Sequence, residues 1–200
     1  MSTGDMRGVV RLLTTLERSP EQERRLAVVR DRCALADARF WERGIGLEVS
    51  VGRALEELIE GVPSVAAGPA YTYAFREAVA CHFSHTTDLG EWPGPSSFHE
   101  LDGELTRHGV PAELLPGSFL FSGPPLRLPH PGDAGPRIGV LPAPRAGALT
   151  EAYESVLDRL RPEHRATARQ FAGIMRFEAA EWESARKLGQ TPDTIFFWFS

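Results

Sequence analysis

Two hundred residues, 42% of them hydrophobic and 24% charged, are enough to bury a core without disulfide or metal staples. Two cysteines are too few for a disulfide framework, and no apolar run approaches the length of a signal peptide core or a bilayer span, so a cytoplasmic protein with free thiols is expected. The net charge of −5 is concentrated centrally, with three basic and ten acidic residues in 46–110, a distribution that would repel a phosphate backbone and argues against nucleic-acid binding.

In chain order, a short helix is expected near residues 8–18. "SPEQ" then signals a strong helix start: Ser19 as N-cap, Pro20 at the first helical position and Gln22 completing a capping box. Leu26, Val29, Cys33, Ala36 and Phe40 recur at helical spacing, and Arg30 and Asp37 share that face. A third helix runs from Ser50 to a Gly61 stop, with Leu55 and Leu58 inward and Glu56 and Glu57 toward water. A fourth spans about 69–85, and a fifth starts at Ser97 with Glu100 completing a capping box and stops at Gly109.

Nine of the sixteen prolines fall in residues 111–144, which forces an extended, turning segment. Within it "SFLFSG", "PLRL" and "RIGVL" have the composition of short strands. Two helices near 147–160 and 163–188 follow, and "TIFFWFS" reads as a strand buried on both faces, paired inside a small sheet.

The fourth helix ends in "ACHFSHTTD", which gathers Cys81, His82 and His85. At 100° per residue His82 and His85 fall on the arc of Tyr71, Ala74, Phe75, Ala78 and Val79, which faces the core or a cleft cut into it. On the last helix Glu178 lies within the arc of Phe171, Ile174, Met175 and Trp182. A buried carboxylate needs a partner, and histidine is a natural one.

Three chemistries compete with simple structural hydrogen bonding. His82, His85 and Glu178 or Asp88 have donors that suit zinc or iron, but no second Cys/His cluster completes a ligand set, so no metal is expected. Adjacent Cys81 and His82 diverge too far for a nucleophile–base pair. The third is acid–base catalysis with His82 as base, Glu178 orienting it, and His85 or Tyr71 bonding the substrate, over an apolar ligand held by Tyr71, Phe75, Phe171, Met175 and Trp182. Glycine-rich phosphate loops, nucleophile elbows and dinucleotide fingerprints are missing, so no cofactor is expected. His99, His108 and His130 are expected at the surface, and Trp92 at the rim of the core or as an anchor for a partner.

"ALEELIEG" (54–61), "AYTYAFREAVACHF" (70–83), "LTRHGVPAELL" (105–115), "SGPPLRLPHP" (122–131) with "RIGVL" (137–141), and the closing "ARKLGQTPDTIFFWFS" together resemble an actinobacterial family of about this length known as a domain of unknown function. The helix-then-strand ending is also similar to that of the small YfbM-like proteins. The likeness spans about residues 50–200 and implies a single α+β cytosolic domain with no particular reaction.

The expected fold is therefore α+β: one predominantly helical domain over 1–200, with a small sheet from short strands near 119–141 and a terminal strand at 194–199. Its parts are N-terminal helices (1–49), central helices (50–110), a proline-rich wrap (111–146), and C-terminal helices and strand (147–200). The expected function is a non-catalytic binding or accessory domain of regulatory or immunity type, whose partner is a protein or a small apolar molecule. The alternative is a small cofactor-free enzyme of specialised metabolism using the His/Glu pair.

Overall fold

The computed structural model describes residues 1–65, 68–84, 87, 89, 95–133 and 135–199. Among them are eight α-helices and three strands: β1 (Ser2–Gly4), α1 (Met6–Thr14), α2 (Pro20–Glu42), α3 (Val51–Glu60), α4 (Ala70–Val79), α5 (Pro95–Arg107), α6 (Pro116–Leu120), β2 (Arg137–Pro142), α7 (Ala146–Glu154), α8 (Pro162–Lys187) and β3 (Thr194–Phe199). The fold is a predominantly helical α+β arrangement, as composition and periodicity imply.

Two compact units can be distinguished. The helical unit comprises Asp5–Ser84 and Pro124–Arg137, with the last two residues of the chain. Its long helix α2 begins with the expected capping box: Ser19 Oγ accepts from the Gln22 amide at 3.3 Å, and the Ser19 amide donates to Gln22 Oε1 at 2.9 Å. Leu26, Val29 and Cys33 are its buried stripe. Helix α3 stops at Gly61, whose φ of +72° is the left-handed conformation that glycine adopts without steric cost. Helices α2, α3 and α4 pack on one another, and α1 packs on α3 and α4.

The sheet unit comprises Met1–Gly4, His85–Gly123 and Ile138–Trp198. Its strand order is β1-β3-β2, so the apolar C-terminal strand is central, with both edges paired as its composition demands. Ser2 pairs with Phe196 and Gly4 with Thr194, antiparallel. Where β3 begins, the Asp193 amide donates to the Gly4 carbonyl and the Asp193 carbonyl accepts from the Ala143 amide, both at 2.9 Å, tying the ends of both neighbours together. Phe171 on α8 meets Phe98, Phe119 and Tyr153 edge-on, at centroid separations of 5.7 to 6.2 Å.

Several elements differ from the periodicity reading, among them the helix expected over 147–160, which ends at Glu154. The N-terminus contributes a strand at 2–4 before a helix at 6–14. Helix α4 ends at Val79, not 85, because the Cys81 and His82 amides turn back to the Ala78 and Val79 carbonyls, three residues behind each, and tighten the chain out of helix. Helix α5 starts at Pro95, which puts Ser97 inside it. "SFLFSG" is not a strand: it supplies the end of the short helix α6, started by Pro116 and capped by a carboxylate from α5. "PLRL" forms no strand either, so within the wrap only 137–142 does.

Candidate functional site

His82 follows the turn that ends α4 and is half-buried in the helical unit, beside the start of α1. Asp5 caps that helix, its Oδ1 accepting from the Gly8 amide at 2.8 Å, and the Asp5 amide donates to the His82 carbonyl at 3.3 Å. Gly8 permits the close approach, since a Cβ there would overlap the Asp5 carboxylate and stand 3.0 Å from His82 Nδ1. Arg25 Nη1 lies 3.4 Å from the same Nδ1. Guanidinium is a donor only, so Nδ1 accepts and the proton of the neutral ring sits on Nε2. That nitrogen is buried and has no hydrogen-bond partner among the described residues.

The His82 pKa is lowered, first by burial, then by the charge of Arg25; Asp5 opposes the shift and Arg11 adds to it. The direction therefore comes from desolvation and a cation, not from a carboxylate partner. His85 and Asp88, like Trp92, lie outside the described residues. Cys81 is half-buried, and its thiol pKa is raised chiefly by burial. Burial pushes the Cys33 thiol up to about 12. Neither is poised as a thiolate nucleophile.

Glu178 belongs to the sheet unit, where it is 5% exposed and accepts a hydrogen bond from the Thr3 hydroxyl on β1. The five residues expected to line an apolar pocket divide between the units. Tyr71 and Phe75 are buried in the helical core. Phe171 and Met175 are buried in the sheet unit, where Trp182 is half-buried and donates its indole N–H to the Pro192 carbonyl at 3.0 Å. Arg30 and Asp37 do not pair with each other. Arg30 grips Glu56 through two bonds of 2.8 and 3.0 Å, while Asp37 accepts from the Val51 and Gly52 amides at 2.6 and 3.0 Å and so caps α3.

Glu57, expected on the wet side of α3, is 1% exposed. It accepts from the Tyr71 hydroxyl, from the Ser64 amide and hydroxyl at 2.8 and 2.9 Å, and from Arg53 Nε at 2.7 Å. These donors, Tyr71 foremost, hold its pKa at about 2. A bond partner of this quality explains why Tyr71 can be wholly buried.

The histidine–glutamate pair that the sequence reading sought exists between two residues it did not consider. His164, at the start of α8, donates its Nδ1–H to Glu104 of α5, and both are buried. Glu104 also accepts from the Arg161 amide at 2.7 Å and from Arg161 Nε at 3.2 Å. Burial alone would raise the Glu104 pKa, but these hydrogen bonds outweigh it and hold it at about 2. Glu104 was legible: it lies three residues after Leu101 and adjoins Leu105, on the inward face of α5. His164 carried no such signal, because its burial depends on how α8 meets α5.

Among the described residues no group of three or more His, Cys, Asp or Glu side chains could hold a metal ion, and no helix is long and apolar enough to cross a membrane.

The outward side of α2 contrasts with these saturated groups. Val28 is 52% exposed, Leu35 58% and Trp41 86%, and Ala27, Ala34 and Ala38 are exposed beside them. Val28, Leu35 and Ala38 lie on the side away from the Leu26–Val29–Cys33 stripe, and Trp41 lies about 90° from its centre, so α2 exposes apolar residues outside the one face that it buries.

Fold and site thus define a helical α+β protein whose interior carboxylates are tied to structural donors and whose longest N-terminal helix offers an apolar surface. The chain belongs to the family described as "Domain of unknown function (DUF7691)", whose model matches residues 1–198. Neither a curated protein nor a solved structure matches it.

Proposed function

We propose that this protein is a non-catalytic binding or accessory domain of the cytoplasm, regulatory or immunity-type, which docks a protein on the outer face of α2. The observation that carries the reading is the exposure of Val28 and Leu35 together on the side of α2 opposite its buried stripe. Large apolar side chains left together in water mark an interaction surface. The dominance of arginine over lysine supports an actinobacterial source, and the likeness to YfbM-like proteins belongs to the same reading.

A photo-crosslinking residue placed at Leu35 tests it in the producing cells, with Arg107 on α5 as the control position. Protein adducts at 35 and not at 107 are expected. Absence of any adduct at 35 overturns the proposal.

A second reading, a small cofactor-free enzyme of specialised metabolism, is favoured by one observation: a buried histidine–glutamate pair, His164–Glu104. Such pairs serve acid–base catalysis. Both carboxylate oxygens of this one also hold the start of α8, which makes the structural role sufficient.

A further inference from the structure

Independently of the α2 surface, we propose that His82 is a pH-operated latch that exchanges its partner, bonding Arg25 of α2 when neutral and the Asp5 carboxylate at the start of α1 when protonated. The turn after α4 is thereby tied through this ring to α2 in one state and to α1 in the other.

The tautomer leaves one place for the second proton. Nδ1 accepts from Arg25 Nη1 at 3.4 Å, so the neutral ring carries its proton on the buried Nε2. An added proton therefore goes to Nδ1. Both groups then donate and neither accepts, so the Arg25 hydrogen bond is lost and two cations are left side by side. Arg25 keeps a partner when it lets go, because its Nε donates to Glu21 Oε1 at 3.0 Å.

An acceptor for the new N–H stands on the other side. Asp5 Oδ1 takes the Gly8 amide at 2.8 Å, while Oδ2 faces Arg11 Nη2 at 3.9 Å, beyond hydrogen-bond distance. One point beside the Gly8 Cα, where a side chain would begin, touches Asp5 Oδ2 and lies 3.0 Å from His82 Nδ1. Glycine leaves that point empty, and a tilt of the ring across it carries Nδ1 toward Oδ2. The Asp5 amide donates to the His82 carbonyl at 3.3 Å, so the two residues stay joined at the backbone while the side chains exchange. Among the described residues, the charged groups that bear on the ring are Asp5 and Arg11 from the α1 side and Arg25 from α2. Burial first, then Arg25, hold the second proton off; Asp5 favours it and Arg11 opposes it, which sets the exchange below pH 6.5.

Ring nitrogen NMR on the labelled full chain, followed from about pH 8 to about 4.5, tests the latch. At the upper end the proton is expected on Nε2, with Nδ1 bare. As His82 titrates, an Nδ1–H signal protected from exchange with water should appear. Asp5→Ser keeps a cap for α1, as Ser19 and Ser50 do for α2 and α3, and removes the carboxylate. It should lower the proton affinity of His82 about threefold and abolish the protected Nδ1–H signal, while Arg25→Gln should raise that affinity by a similar factor. A neutral ring protonated on Nδ1, or a native chain without the protected signal in acid, overturns the proposal. So does a midpoint unmoved in either variant, or a protected Nδ1–H that survives in Asp5→Ser.

Discussion

At the scale of single residues, polar side chains in both interiors are matched by hydrogen bonds from distant positions. Tyr153 shows the simplest case: its buried hydroxyl donates to the Leu114 carbonyl at 2.8 Å. Tyr153→Phe leaves that carbonyl without its donor and should cost about 1 kcal/mol, measured by urea unfolding. Two nitrogens are exceptions among the described residues, Arg18 Nη2 and His82 Nε2, and the His82 pKa lies below 6.5. Below pH 6.5 the unfolded chain binds a proton at this position that the folded chain refuses, so stability is full above 6.5 and falls as pH drops through the folded pKa. His82→Gln should flatten that slope relative to the native protein. Parallel stability curves for the two would show that His82 does not contribute to it.

At the scale of elements, helix starts are held in two ways. Helix α2 is capped by its own sequence, and Ser19→Ala should cost about 1 kcal/mol in thermal or urea unfolding. Helices α6 and α8 have Leu115 and Arg161 at their N-caps, neither of which caps by side chain. They borrow carboxylates from α5 instead. Asp102 accepts from the Gly117 amide at 3.1 and 3.2 Å, and Glu104 accepts from the Arg161 amide. Such a borrowed cap satisfies exposed amides as well as a local one does and places negative charge at the positive end of the helix dipole. Strand β2 meets the end of α6 just as closely, because a Cβ on Gly139 would overlap the Phe119 and Leu120 carbonyl oxygens. Gly139→Ala should therefore destabilise by about 1–3 kcal/mol, although glycine elsewhere in a strand is replaced with benefit. Unchanged stability of that variant would mean that β2 shifts freely away from α6.

At the scale of the whole molecule, these buried groups set the response to acid. Glu57 and Glu104 are both held at about 2, below the ordinary 4.5. Their contribution is present above pH 4.5 and is lost as pH falls toward 2, because the unfolded chain takes up protons first. Burial raises the Asp102 pKa from 3.8, so this group acts in the opposite sense: its contribution is present below 3.8 and lost as pH rises through the folded value. With two groups against one, stability should fall between pH 4.5 and 2, and Glu57→Gln or Glu104→Gln should flatten the fall while lowering stability at neutral pH. A native curve flat across that window would contradict the assignment of both carboxylates.

Local signals were enough for much of the fold. Ser19, Pro20 and Gln22 are neighbours in sequence, so their capping box needs nothing from elsewhere; Gly61 ends α3 for the same reason, and the apolar run at 194–199 has no stable place except the centre of a sheet. Periodicity also marked Glu178 as inward-facing, and it is. What it did not contain was the partner. Thr3 bonds Glu178 from 175 residues away, Glu104 meets His164 across 60 positions, and Tyr71 turns Glu57 from a surface acid into a buried one. Each pairing depends on which helix or strand packs beside which, a choice made by the burial of apolar surface over whole elements. Sequence determined where α2 begins, where α3 ends and which strand is central; tertiary packing alone decided which buried acid met which donor, because hydrogen bonds reach only about 3 Å and follow the packing that brings their ends together.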